Sequence, residues 1–208
     1  MNHADADTGA TKKSLSKPAK LLRLLGAMID PRAYLHAIKI INFYNYSHVQ
    51  PMRRIRCGND PAISPDASFT NAERIEIGHR VRIGSRCSLW AGPRNGRITL
   101  GDDVLFGPEV FLTAANYRFN EGSPVTKQAM DEGDITIGND VWLGARVMVL
   151  PGVTIGDYAV VGAGSIVTKD IPSAAIAVGA PARVVSTRTV PGLQSGTAEG
   201  GGQKAVEA

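Results

Sequence analysis

Between Asp134 and Val167 an apolar residue returns at every sixth position: Ile137, Leu143, Val149, Ile155, Val161 and Val167. Gly follows in four of these six cases. Four positions beyond each comes another small or aliphatic residue, in turn Val141, Val147, Val153, Ala159, Ser165 and Ile171. Earlier stretches obey the same rule through Ile77, Ile83 and Leu89, then through Leu100, Phe106 and Leu112. A period of six is neither the 3.6 of a helix nor the 2 of an ordinary strand. It predicts one flat side of a triangular coil, with the recurring aliphatic residue turned toward the axis. The predicted fold is therefore an all-β solenoid, with Gly at corners that a Cβ would strain.

The repeat is visible in four related segments: RIEIGHRVRIG (74–84), RITLGDDVLFG (97–107), DITIGNDVWLG (134–144) and VTIGDYAVVG (153–162). Gly138 and Gly156 stand 18 residues apart, one three-sided turn. Gly78 and Gly101 stand 23 apart, and the AGPRNG stretch supplies the excess. Gly101 and Gly138 stand 37 apart, which predicts a long loop over 115–134. Insertions in solenoids gather on one face, often the binding face.

Outside the repeat the pattern changes. Residues 1–17 are polar, which predicts a disordered tail. Over 18–56, Leu21, Leu22, Leu25 and Met28, then Tyr34, Ile38, Ile41 and Phe43, predict one or two short helices broken at Pro31. Residues 186–208 end in a Gly-rich stretch and predict a second disordered tail, leaving 57–185 as the β-helical domain.

Composition adds modest limits. The 208 residues suit one domain with tails, and 23 Gly with 12 Pro agree with many turns. Cys57 and Cys87 alone do not suggest a disulfide scaffold, so a reducing, cytoplasmic setting is expected. LLRLLGAMI is too short to span a bilayer and follows a polar lead, so it reads as neither membrane span nor signal peptide. Up to residue 56 there are 10 Lys/Arg against 3 Asp/Glu, and beyond it 13 against 16. Such a basic start suits a solvated helix face or a weak peripheral contact with an anionic membrane. Nucleic acid is set aside: zinc-finger spacing, basic heptads and aromatic RNA-binding motifs are all missing.

The run NDVWLGARVMVLPGVTIGDYAVVGAGSIVTKDIP, followed by VGAPARVV, resembles the hexapeptide-repeat acyltransferases. Within them it looks most like the sugar and polysaccharide O-acetyltransferases. The resemblance covers about residues 57–185 and implies a left-handed parallel β-helix, a homotrimer and acetyl-CoA as co-substrate, with no metal. In similar enzymes the CoA arm lies between the β-helices of two subunits. The matching positions here are Trp142, Ala145, Ala163, Thr168, Lys169 and Arg183. Outward backbone amides suit the pantetheine amides, and Lys169 and Arg183 suit phosphates. Without the resemblance, Thr168, Lys169 and Arg183 read equally as the cap of the last coil. Trp142 suits ligand stacking or packing under the 115–134 loop.

One departure matters. In the resembling transferases the loop after this coil opens with a His, the general base that takes the proton of the sugar hydroxyl. This chain reads AANYRFNEG and has Tyr117 there. Free Tyr titrates near pH ~10 and His near ~6.5, so a neutral Tyr is a much weaker base. Three readings stand side by side. Tyr117 relays a proton beside Asn116, or stacks on a sugar ring; His48 serves instead; or transfer is lost and binding kept. His79, at a coil corner, reads as structural. A zinc enzyme would need three His ligands, and the coils hold only His79. Serine O-acetyltransferase would need a larger helical N-terminal domain. The expected function is acetyl transfer from acetyl-CoA to a hydroxyl of a sugar or glycan precursor, by direct attack without an acyl-enzyme. N-acylation of an amino sugar and a binding-only β-helix are the alternatives.

Overall fold

A computed structural model of the protein describes residues 15–190. The two tails expected to be disordered lie outside the described residues, apart from 15–17 and 186–190. The chain divides into two compact units, the first ending at Phe43 and the second starting at Tyr44.

The first unit holds the helix Lys17–Ile29 and all but the last residue of the helix Pro31–Tyr44. Pro18 sits in the first turn of the first helix, where a missing N–H removes no helical bond. That helix stops at Asp30, whose backbone is extended, as a residue before proline prefers. Asp30 then caps the second helix: its Oδ1 accepts the N–H of Arg32 at 2.9 Å. Pro31 thus both ends one helix and opens the next.

The second unit is a parallel β-solenoid of five turns. Its strands fall into three sheets, visited in the same cyclic order on every turn. The first sheet stacks Arg56–Cys57, Ile75–Ile77, Ile98–Leu100, Ile135–Ile137 and Thr154–Ile155. The second runs from Ala62–Ile63 through Arg82–Ile83, Leu105–Phe106, Trp142–Leu143 and Val160–Val161 to Ala175–Val178, where Arg183–Thr187 pairs antiparallel. The third stacks Ser68–Thr70, Ser88–Trp90, Phe111–Thr113, Met148–Val149 and Ile166–Val167. Within each sheet like meets like: Ile137 pairs with Leu100 and Ile155, and Leu143 with Phe106 and Val161.

All the positions of the six-residue period are buried, from Ile77 to Val167, together with Val141, Val147, Val153, Ala159, Ser165 and Ile171. The interior is therefore a stack of aliphatic layers, each side chain contributing about 1.5–3 kcal/mol when fully buried. A segment with a single π-type turn, Asn45–Val49, packs on the strand Ser68–Thr70 of the first turn.

The corner glycines have a different role from the one the sequence suggests. Left-handed φ falls two residues later, at Arg80, Asp103, Asp140, Arg146 and Tyr158 among others. What Gly101 or Gly58 permits is close stacking: a Cβ on Gly101 would lie 2.8 Å from the Gly138 carbonyl, and one on Gly58 2.7 Å from the Gly78 carbonyl carbon. The residue after each such Gly ties successive turns together. Asn59 N–H donates to His79 Nδ1 at 3.0 Å and His79 N–H to Asp102 Oδ1 at 2.8 Å. Asp102 N–H donates to Asn139 Oδ1 at 2.8 Å and Asn139 N–H to Asp157 Oδ1 at 2.6 Å. These bonds satisfy corner amides that no strand pairs. His79 is thus one rung of a structural ladder.

Candidate active site

The regular turn is broken three times at one corner, where the third sheet passes to the first. The short connection 71–74, the 91–97 turn and the 114–134 excursion lie on consecutive turns there. They are bonded to one another. Asn71 Nδ2 donates to the Ala91 carbonyl at 2.7 Å, and Arg74 Nε to the Arg94 carbonyl at 2.9 Å. Trp90 and Phe111, on the strands that lead into this corner, meet edge to face with ring centroids 5.0 Å apart.

The longest excursion is a hairpin. Ala115–Tyr117 pairs antiparallel with Met130–Glu132, in register Ala115–Glu132, Asn116–Asp131 and Tyr117–Met130. Its far end is closed by Gln128, a buried side chain that donates to the Ser123 carbonyl and accepts the N–H of Glu121. Arg118 bridges Asp131 and Glu121. At the base, the Glu132 carboxylate accepts the backbone N–H groups of Arg94, Asn95 and Gly96. Those amides, the Gly96 bond above all, hold the Glu132 carboxyl below the usual carboxylate range. Sequence reasoning missed Glu132 and Gln128. A single carboxylate before a repeat carries no periodic signal.

The hairpin presents Tyr117 to solvent, its side chain 49 % exposed. Asn116 is exposed as well. Adjacent strand residues point to opposite faces, so Asn116 shares a face with Asp131 while Tyr117 shares one with Met130. Asn116 therefore does not polarise the Tyr117 hydroxyl. Among the described residues that hydroxyl has no hydrogen-bond partner, so none of them activates it as a base. His48 lies elsewhere, on the first turn. Its Nδ1 is 2.8 Å from the Ala67 carbonyl and its ring packs against Phe69 at 5.9 Å. The structure brings together Tyr117 and Asn116 on one ribbon and leaves His48 engaged on another coil.

The six residues expected at the donor fall into two groups. Ala145 and Ala163 stack at the corner between the second and third sheets, where Gly164 N–H donates to the Ala145 carbonyl at 2.8 Å. Arg183 joins that corner, because it pairs with Val178, and Val178 packs over Gly162. Trp142 stands on the strand entering the same corner, between Leu105 and Val160 on the outer face of the second sheet. It is 51 % exposed. The hairpin rises from the corner opposite that sheet, so Trp142 does not pack under the 115–134 loop. Thr168 and Lys169 follow the last strand of the third sheet and are exposed at the far corner. Neither Lys169 nor Arg183 forms an ion pair among the described residues, which leaves both cations available to an anion.

Nucleophile chemistry has little support. Burial pushes the Cys57 and Cys87 thiols up, so both are poor thiolates. Among the described residues no group of three or more His, Cys, Asp or Glu could hold a metal ion.

Comparison with known proteins gives this arrangement a context. The pattern described as "Bacterial transferase hexapeptide (six repeats)" matches residues 134–169. The chain is 33 % identical over 169 residues to the galactoside O-acetyltransferase of Escherichia coli K12, covering 74 % of this chain and 79 % of that one. A galactoside acetyltransferase solved with coenzyme A aligns at a TM-score of 0.60 and 32 % identity, covering 76 % of this chain and 82 % of the other. A Vibrio cholerae hexapeptide-repeat acetyltransferase solved with acetyl-CoA aligns at 0.62 and 26 %, covering 69 % and 76 %. On its five-turn solenoid, its matching repeat and this extended identity, the chain belongs to the hexapeptide-repeat acyltransferase family.

Proposed function

We propose that this acyl-CoA-dependent transferase moves an acetyl group from acetyl-CoA to a hydroxyl of a sugar or polysaccharide precursor, as a cytoplasmic homotrimer. The observation that carries the reading is the extended identity to a galactoside O-acetyltransferase, joined to a hairpin that lifts Tyr117 and Asn116 off the solenoid at one corner.

The donor residues fit an extended, anionic thioester. Ala145 and Ala163 leave the backbone at their corner open to the pantetheine amides, which then add to it as a strand would. Lys169 and Arg183 supply unpaired cations for phosphates. Trp142 offers an exposed aromatic face, flanked by Leu105 and Val160, to an apolar or planar part of the ligand.

At the acceptor, Tyr117 holds the sugar by stacking, and its hydroxyl orients the attacking group; Asn116 offers an amide from the opposite face of the ribbon. The acceptor oxygen attacks the thioester carbonyl carbon. A C–O bond forms, the C–S bond breaks, and the hydroxyl proton ends on the departing sulfur, giving free coenzyme A thiol. His48 has a structural role in this reading, since it donates Nδ1–H to the Ala67 carbonyl and packs on Phe69 at the first turn, whereas the Tyr117 hairpin leaves the third.

Thiol release from acetyl-CoA, followed with a disulfide dye over a panel of galactosides, glucosides and maltose, tests the proposal. Acceptor-dependent release, with acetyl ester found on the sugar, is the expected result. Release that is no faster with any sugar than in buffer would remove the sugar reading.

A further inference from the structure

The N-terminal unit is unusual in what it leaves uncovered. In the helices Lys17–Ile29 and Pro31–Tyr44 not one residue is buried, although both are strongly amphipathic. On the first, Leu21, Leu24, Leu25 and Met28 recur at helical spacing and form one apolar stripe. Leu22 and Ile29 widen that stripe and are 71 % and 79 % exposed. Lys20 lines its border, and Arg23 lies on the opposite, polar face. On the second helix Tyr34, Ile38 and Ile41 share one face, and Arg32, His36 and Lys39 share the opposite one.

A face this apolar on a protein surface marks an interaction site. Charge selects the occupant. The two helices carry Lys17, Lys20, Arg23, Arg32 and Lys39 against the single acidic residue Asp30, and that carboxylate is engaged as a helix cap. Five cations on helices that also carry exposed apolar faces complement a surface that is apolar within and negative at its rim. An anionic bilayer has both properties, with headgroups above and acyl chains below. The helices are of 13 and 14 residues, and no helix among the described residues is long and apolar enough to cross a membrane. They suit lying in the interface.

We infer that the two N-terminal helices form an in-plane anchor that holds the enzyme on an anionic lipid surface. The inference does not rest on the proposed acetyl transfer and stands or falls independently of it. Each Lys or Arg near such a surface adds to binding, so Lys20→Ala/Arg23→Ala weakens partitioning about 30-fold at low salt. Leu24→Glu/Ile38→Glu places charge in the apolar stripes and weakens it at least about 100-fold.

Flotation of the full chain with vesicles of phosphatidylcholine and phosphatidylglycerol in equal parts tests this, with pure phosphatidylcholine alongside. The expected result is flotation with the anionic vesicles, weaker flotation with the neutral ones and loss in both double variants, with the solenoid's melting temperature unchanged. Light scattering on wild type and Leu24→Glu/Ile38→Glu should give the same number of subunits. No flotation with anionic vesicles, or flotation indifferent to the substitutions, would overturn the inference. A fall in subunit number in the leucine–isoleucine variant would overturn it too, by showing that a second copy covers these faces.

Discussion

The Glu132 carboxylate accepts the N–H of Gly96 at 2.7 Å from 36 residues further along the chain. The same carboxylate accepts the N–H of Asn95 at 2.6 Å. One side chain thus fixes the base of the Tyr117 hairpin to the turn inserted one coil earlier. Removing it orphans three amides at once and frees the hairpin to open locally. Glu132→Ala should therefore speed tryptic cleavage after Arg118 and Lys127 by about ten-fold or more, with little change in the global melting temperature. Glu132→Gln, which retains one acceptor oxygen, should fall between. Unchanged cleavage in the alanine variant would show that the hairpin does not depend on this tie.

The same tie gives a pH dependence of known sign. The folded Glu132 carboxyl titrates below its unfolded value, held down first by the Gly96 amide and then by Asn95. A depressed acid contributes stability that is fully present above the unfolded value, about 4.3, and is lost as pH falls through the folded one. Hydrogen exchange at the amides of 94–96, corrected for intrinsic rate, should therefore stay slow from pH 8 to 5 and accelerate only in acid below about 4. Acceleration between pH 7 and 6 would assign the loss to another group.

Glycines in this chain do different work by position. Ala at Gly101 would set its Cβ 2.8 Å from the Gly138 carbonyl of the next turn. Such crowding costs about 1–3 kcal/mol, which a lowered denaturant midpoint should show. Ala at Gly26 meets nothing within 4 Å and lies inside a helix. There the substitution should favour the helix by about 0.5–1 kcal/mol and leave the solenoid's midpoint unchanged.

Tyr117 and His48 separate by what each variant loses. Tyr117→Phe retains the ring and should keep kcat/KM within about ten-fold, whereas Tyr117→Ala should lose about 100-fold through lost stacking and burial of the sugar. A phenylalanine variant as poor as the alanine one would assign proton work to the hydroxyl. His48→Ala orphans its partner at the Ala67 carbonyl, a loss of about 1–3 kcal/mol. It should lower the melting temperature while kcat stays within about three-fold, since a missing general base would instead cost about 10²–10⁴.

These residues also show how far the sequence reaches. Ile137, Leu143 and Val149 announce their burial by a period of six, because each repeats one side of the same coil. Pro31 announces the break between the helices, because its ring restricts the residue before it. The glycine after each aliphatic residue is equally visible, yet its reason is not. Close approach between turns is a tertiary fact, and the left-handed corner falls two residues later, on Arg80 or Asp103. The His79, Asp102, Asn139, Asp157 ladder was within reach, since a hydrogen-bonding side chain follows Gly each time. The opposite faces of Asn116 and Tyr117 needed the hairpin register, and Glu132 needed the turn it binds.

The central claim is that this solenoid binds acetyl-CoA at its own corners, and calorimetric titration of acetyl-CoA into the protein tests it most directly. A Lys169→Ala/Arg183→Ala variant titrated in parallel identifies the phosphate contacts. Micromolar binding should appear in the wild type and weaken by about ten-fold or more in the variant, as charge-assisted bonds to phosphate are removed. Heat of dilution alone at millimolar acetyl-CoA, with a folded protein in the cell, would contradict the account.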